Sequence, residues 1–297
     1  MNDLIALILG AGAPLVYVTM AGVLAQRAGI WHLGLEGLMI AGACAAVLVT
    51  SAANSLLAGL AVASVVCVLG SALLWVVIEK LKANPIIAGL GLTGLGLGGT
   101  DLAVQAVFDS EATVRSEIGL PRLGDAFGPY AHLSVLVLAM PFVVFALWVL
   151  LRRTRFGLQL AACGEHPFAA RSVGVSPPRM RLLALMLGGV LCALGGAELA
   201  LGSLQLFSVG MTAGRGFMAF AAVIFGAGHP VGAAFAALFF SVVEALGIKA
   251  QLLLGNALPP DLLLALPYAA TVAGVWLSGR LRGGGQSSGA FAELRDY

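Results

Sequence analysis

The chain has 297 residues, of which 60% are hydrophobic and 10% are charged, and its formal net charge is +2. Soluble domains carry roughly 25% charged residues, so this composition excludes an ordinary soluble protein and predicts a polytopic integral membrane protein. The small net charge gives no support for nucleic-acid binding. The four cysteines are scattered along the chain, so we expect neither a metal cluster nor a disulfide framework.

Apolar stretches that could cross a bilayer recur along the chain and predict an all-α bundle of transmembrane helices. A crossing helix needs about 20 apolar residues. A shorter segment, Gly216–Gly228, is either re-entrant or a crossing completed by its flanks. The long spans are Leu4–Ala25, Ile30–Ser51, Leu56–Ile78, Pro85–Val107, Leu133–Leu151, Leu182–Leu206, Val231–Ile248 and Leu262–Leu277.

Lysine and arginine are concentrated in alternate loops, which predicts the orientation of the chain. The positive-inside rule places the N-terminus outside and the C-terminus inside. That arrangement requires an odd number of crossings, so we count Gly216–Gly228 and predict nine spans. Residues 1–281 then form the transmembrane domain, and the Gly/Ser-rich residues 282–297 are a cytoplasmic tail that we expect to be disordered. Similar glycine-rich elements in the two halves also allow an inverted repeat with broken helices.

The longest basic loop, residues 152–181, carries six arginines and one acid. Its middle contains small and apolar residues between glycines, which predicts a short compact helix that a partner protein could grip. A loop that only sets the topology is the alternative.

Two polar features lie within apolar spans. Glu36 is flanked by glycines, and we favour a role in bonding the backbone of a broken helix over a role in substrate binding; Glu198 is predicted to play the matching part in the second half. The segment from Asn84 to Gly99 contains six glycines. It is either a wall of a translocation pathway or a surface for close helix packing. The candidate pathway residues are Glu36, Asn84, Gly91, Thr93 and Gly94.

Four segments together resemble the membrane subunit of bacterial ATP-driven (ABC) importers. They are Arg27–Met39, Lys82–Leu90, Thr154–Val175 and Gly214–Gly226. The family includes permeases for ribose, branched-chain amino acids and nucleosides, and the segments look most similar to the second permease of nucleoside importers, with simple-sugar importers close behind.

The resemblance implies import of a nucleoside by alternating access in the bacterial cytoplasmic (inner) membrane. It also implies that a coupling helix in the basic loop docks on an ATPase; its residues would be Gly164, Glu165, His166, Pro167, Ala169, Ala170, Arg171 and Gly174. The implied partners are a second permease in a heterodimer, an ATP-binding subunit and an extracytoplasmic substrate-binding protein. The chain itself would bind no cofactor, because no P-loop pattern is present and the ATPase would use ATP and magnesium.

Other functions remain open at this point. A simple-sugar (ribose-type) or branched-chain amino acid permease would use the same architecture. An ion-coupled secondary transporter would need no ATPase and could use the intramembrane acids Glu36, Glu198 and Glu244 as a proton relay. A membrane enzyme is the least favoured, because the sequence carries no catalytic motif.

Overall fold

A computed structural model of the chain describes residues 2–108, 113–124, 130–254 and 269. Two compact units divide the chain, residues 1–242 and 243–297, and the second contributes the end of the last long helix to the described residues. The helices in chain order are α1 (Asn2–Arg27), α2 (Leu35–Ala53), α3 (Leu56–Glu79), α4 (Pro85–Phe108), α5 (Val135–Arg153), α6 (Arg155–Glu165), α7 (Pro167–Ser172), α8 (Pro177–Ala197), α9 (Arg215–Phe225) and α10 (Pro230–Leu254).

Seven of the described helices are long and apolar enough to cross a membrane, which confirms a polytopic helical membrane protein. One predicted boundary is wrong. The second span begins at Leu35 rather than at Ile30, because Gly29 adopts a left-handed φ of +77° and turns the chain after α1. Residues 28–34 therefore form a loop between the two helices.

The core of the first unit is built around α8, which packs against α1, α2 and α3. Glycines allow this close approach. A side-chain carbon added at Gly189 would lie 2.7 Å from the backbone oxygen of Cys67 in α3, and one at Gly42 would lie 2.9 Å from Ala193 in α8. Small residues at such contacts are typical of membrane helices, which associate by close packing.

A small sheet, which the sequence did not predict, closes one end of this unit. Strand β1 (Thr113–Arg115) pairs antiparallel with β2 (Leu206–Ser208). A π-helix, Glu198–Leu204, connects α8 to β2. We call the end of the bundle that carries β1 and β2 the strand end. The opposite end, where the arginine-rich segment 152–181 meets the end of α1, is the basic end.

The segment containing α9 joins these two ends. It leaves β2 at the strand end, and at its far side the Arg27 side chain donates a hydrogen bond to Gly228 at 2.8 Å. Helix α9 itself has only 11 residues, or about 16 Å at 1.5 Å per residue, against a hydrocarbon core of about 30 Å. The helix thus supplies about half of this passage, and irregular chain supplies the rest.

The count of nine spans and the inverted repeat stay predictions. Both depend on the span predicted at Leu262–Leu277, which lies outside the described residues except for residue 269. The predicted tail, 282–297, lies wholly outside them.

The predicted orientation can be tested by single-cysteine labelling. Glu117, next to β1, and Ser172, at the end of α7, are both exposed and are separated by α5. Cysteines introduced at these positions should react with a membrane-impermeant maleimide from opposite sides, Glu117→Cys from outside, because the basic loops stay in the cytoplasm. The parent chain is the control, since its own cysteines are buried. Labelling of both variants from one side would contradict the orientation.

Candidate functional site

Glu36 holds the start of α9. Its carboxylate accepts hydrogen bonds from the backbone N–H groups of Gly214 at 3.0 Å and Gly216 at 2.5 Å. The side chain is buried, with 3% of its surface exposed. Gly216 has no room for a side chain, because the Glu36 backbone lies against it.

This contact supplies hydrogen-bond acceptors to backbone N–H groups at the start of α9. The first N–H groups of a helix have no partner within the helix, and in a membrane no bulk water replaces one. A carboxylate at a helix N-terminus supplies strong charge-assisted bonds and interacts favourably with the helix dipole. The geometry agrees with the favoured hypothesis for Glu36, a bond to the backbone of a broken helix.

The loop before α2 also holds α4. The Thr93 hydroxyl, which is buried, donates a hydrogen bond to the backbone oxygen of Leu33 at 3.2 Å. Gly37 of α2 lies directly against the backbone of Leu92 and Thr93, and Gly96 lies against the backbone of Gly37. The two helices therefore meet backbone to backbone on this face of α4.

The opposite face of α4 is open. A side-chain carbon added at Gly91, Gly94, Gly98 or Gly99 would meet no atom within 4 Å. Exposed apolar side chains continue the same surface at Ile87, Leu90, Leu95 and Leu102. The glycines of this span thus divide into a set that packs closely against α2 and an open set. The pathway wall stays a prediction for the open set.

The five candidate pathway residues fall into different environments. Gly91 and Gly94 lie on the open face. Glu36 and Thr93 are buried and use their polar groups inside the fold. Asn84 is exposed and stands at the start of α4, where its side-chain oxygen accepts a hydrogen bond from the Ile86 N–H at 2.9 Å. Only the glycines combine an intramembrane position with an open surface.

Glu198 differs from the matching role predicted for it. Its carboxylate accepts a hydrogen bond from the Ser134 hydroxyl at 2.5 Å. Ser134 is the N-cap of α5, and its oxygen accepts from the Val137 N–H at 3.3 Å. Within the part of the chain that the structure describes, the acid therefore supports a helix start through a capping side chain.

The predicted coupling residues form a helical tip at the basic end. Helix α7 begins at Pro167, whose fixed φ and missing N–H suit the first position of a helix. Gly174 follows α7 with a φ of +82°, a conformation that favours glycine. The sequence segment Glu165–Gly174 therefore contains one short helix between two turns, as expected from its composition.

Exposure separates the members of this tip. Ala169 is exposed, whereas Ala170 is buried with 2% of its surface exposed. Phe168 and Val173 are 83% and 77% exposed. Neither residue was predicted from the sequence, although apolar side chains within an arginine-rich loop are the signal that could have found them. An exposed aromatic side chain at a helical tip is typical of a protein-binding surface.

The tip is fastened to the bundle at two points. In α6, Gly164 lies against the backbone of Arg27 and Gly29 at the end of α1. In α8, Arg181 donates hydrogen bonds to the Glu79 carboxylate at 2.7 Å and to the Ala28 carbonyl at 3.2 Å. The segment that carries α7 is thus in direct contact with the loop that leads to Glu36.

Comparison with known proteins identifies the family. Residues 4–276 match the family described as branched-chain amino acid transport system, permease component. The chain belongs to this family of ABC transporter permeases. No solved structure matches the chain.

Similar relatives fall into two substrate groups. The guanosine ABC transporter permease protein NupQ of Bacillus subtilis is 32% identical over 88% of this chain and 86% of its own length. The nucleoside ABC transporter permease protein NupC of Lactococcus lactis is 32% identical over 87% and 86%. A putative glucose ABC transporter permease protein of Haloferax volcanii is 32% identical over 86% and 79%. These proteins are transport components, and they place the chain in the nucleoside and simple-sugar branch.

Replacement of the Glu36 carboxylate should destabilise the permease. In Glu36→Gln, one oxygen and one amide group replace two acceptors, so one α9 N–H loses its bond and faces a donor. We expect the free energy of unfolding to fall by about 2 kcal/mol, which is within the range for a hydrogen bond to a charged group. The measurement is the melting temperature of the purified chain, which should be lower than that of the parent. Glu165→Gln, at an exposed acid, is the matched control. Equal melting temperatures for the two variants would show that α9 does not need this carboxylate.

Proposed function

We propose that the chain is the permease subunit of an ATP-driven importer and carries a nucleoside across the cytoplasmic membrane by alternating access. The observation that carries this proposal is the similarity to a guanosine permease and a nucleoside permease over most of both chains. The open glycine face of α4 supplies the surface on which we place the substrate pathway.

The chemistry of α4 favours a neutral substrate. Residues 85–100 contain no ionisable side chain, and the open face of this stretch is built from glycine and aliphatic residues. A zwitterionic amino acid would leave its charges without partners on such a surface. A nucleoside carries no charge at neutral pH, and its base offers a flat surface for apolar contact.

A second permease would face α4 across the pathway. Small residues let two membrane helices approach closely. Because the open glycines carry no side chains, the facing subunit would set the width of the route. We propose a heterodimer of permeases with Gly91 and Gly94 at the narrow part of the route. Glu36 and Thr93 position this wall from behind.

The exposed tip around α7 is the proposed contact with the ATPase. Phe168 and Ala169 point away from the bundle, while Gly164 packs on the end of α1. A short helix with an apolar tip fits a groove in the manner of other helix-in-groove contacts. The ATPase would use ATP and magnesium, so the chain itself would need no cofactor, and an extracytoplasmic binding protein would deliver the substrate.

Import of a simple sugar is the second candidate function. It is favoured by the glucose permease relative, whose identity to this chain equals that of the nucleoside relatives. The aliphatic surface of α4 offers few hydrogen-bonding groups to a sugar, which is why we place the nucleoside first.

Competition for uptake tests the substrate. The assembled importer with its binding protein, reconstituted in vesicles, should accumulate labelled guanosine only when ATP is supplied. Excess unlabelled adenosine or uridine should reduce this uptake, and excess glucose, ribose or leucine should leave it unchanged. ATP-dependent uptake of glucose that nucleosides do not inhibit would instead establish the second candidate.

Three glycine variants test the pathway. Gly91→Leu and Gly94→Leu add side chains to the open face, so the importer should assemble and hydrolyse ATP but lose most of its uptake. Gly96→Leu is the matched control, because Gly96 lies against the backbone of Gly37 and a side chain there should prevent assembly by overpacking. Normal uptake by Gly91→Leu and Gly94→Leu in assembled complexes would remove α4 from the pathway.

Variants of the helical tip test the coupling. Phe168→Ala removes an exposed aromatic side chain and Ala169→Glu adds bulk and charge, so both should reduce co-purification of the ATPase and ATP-driven uptake while membrane insertion persists. Leu57→Ala is the control, because Leu57 is also exposed, at 78%, but lies in the first turn of α3, at the opposite end of the bundle. Full ATPase recovery with both tip variants would refute this contact.

A further inference from the structure

An apolar cleft of about 270 Å³ lies between α1, α5 and α10 in the first unit. Its lining includes the buried residues Val16, Met140 and Ala234, and the side chains of Phe145 and Phe235, which are 62% and 68% exposed. All three helices are long enough to cross a membrane, and the exposed rings lie at the edge of the bundle. The cleft therefore opens at the surface of the described bundle, and it shares no residue with the open face of α4 or with the helical tip.

Cations surround the basic end of this cleft. Trp148 lines the cleft, and the Arg153 guanidinium lies 5.9 Å from the centre of its ring. Arg152 is exposed in the same last turn of α5. None of the three walls supplies an acid near this end, because residues 16–27, 145–153 and 226–238 contain no Asp or Glu.

The neutral imidazole of His229 lies close by, directly before α10. Burial lowers the pKa of His229, and the charges of Arg152 and Arg27 lower it further. The histidine is thus an electrostatic neighbour of arginines from α5 and α1. The mouth of the cleft collects positive charge from the ends of different helices.

We propose that this cleft binds an anionic phospholipid, with an acyl chain between α1, α5 and α10 and its phosphate at Arg152 and Arg153. The order of chemical groups along the cleft matches the order along a phospholipid. The apolar cleft corresponds to the acyl chain, the tryptophan to the membrane interface, and the arginines to the anionic headgroup. Tryptophan is enriched at the membrane interface, and basic pockets between membrane helices bind anionic headgroups.

Charge complementarity separates the lipid from a protein occupant. The predicted span Leu262–Leu277 could offer apolar side chains to the cleft, but its sequence contains no acid and would leave the cations without a counter-charge. An anionic lipid satisfies both parts of the site and reaches it directly from the bilayer.

Photolabelling tests this site in the full chain. The protein is reconstituted in phosphatidylcholine nanodiscs that contain a trace of phosphatidylglycerol with a diazirine in its acyl chain, and labelled peptides are identified by mass spectrometry. Label should appear in residues 140–148 and 231–238. Arg152→Gln should reduce it about fivefold, because one basic residue near the surface contributes about 1 kcal/mol to anionic lipid binding. Arg179→Gln, at an exposed arginine of α8, is the charge-matched control and should label like the parent.

A second lipid and a cleft-filling variant complete the test. The same diazirine on phosphatidylcholine should label the cleft several-fold less, and Ala234→Leu, which fills the floor, should reduce labelling by phosphatidylglycerol; melting temperatures confirm that each variant is folded. Equal labelling by the two lipids, equal labelling of Arg152→Gln and Arg179→Gln, or the absence of label from both peptides would each overturn the proposal.

Discussion

Two hydrogen bonds to one buried carboxylate allow a helix to begin inside the membrane. A helix start leaves several N–H groups without partners, and each costs several kcal/mol in a lipid environment if it stays unbonded. Glu36 removes part of this cost by accepting from Gly214 and Gly216. Without that carboxylate, α9 would have to begin where water reaches it, and the passage from β2 to Gly228 would need another path.

The position of Glu36 also connects the other parts of the fold. The residue lies in the first turn of α2, directly after the loop 28–34. Gly29 in this loop lies against Gly164 of α6, and Leu33 accepts a hydrogen bond from Thr93 of α4. One loop therefore contacts both the segment that carries the helical tip and the helix that carries the open glycine face.

Under the proposed function, this arrangement suits the transmission of movement. Glycine contacts bring backbones together without intervening side chains that could deform, so a displacement of α6 is passed to the loop as a rigid shift. Packed interfaces of this kind move as rigid bodies when helices shift. On the opposite face of α4, glycines such as Gly91 and Gly94 contact no neighbouring helix in the described part of the chain and leave the surface open.

Much of this account could be predicted from the sequence, and the remainder required contacts between distant residues. Composition predicted the membrane class, and the glycines around Glu36 predicted a bond to a broken helix. The six glycines of Asn84–Gly99 could not be divided from sequence, because Gly94 and Gly96 differ only in whether α2 lies beside them. The pairing of β1 with β2 also joins residues far apart in the chain, which no local pattern indicates.

The burial of neighbouring alanines shows the same limit of local patterns. Ala169 and Ala170 have identical side chains, yet one is exposed and the other is buried. Only the direction in which α7 meets the bundle decides between them. The same direction leaves the Phe168 side chain exposed.

An experimental structure of the assembled importer with its transported substrate bound is the most direct measurement of the central claim, that the open face of α4 lines the translocation pathway. The account predicts substrate density between the two permeases, in van der Waals contact with Gly91 and Gly94. Substrate bound elsewhere, with the Gly91 and Gly94 face of α4 against lipid, would contradict it.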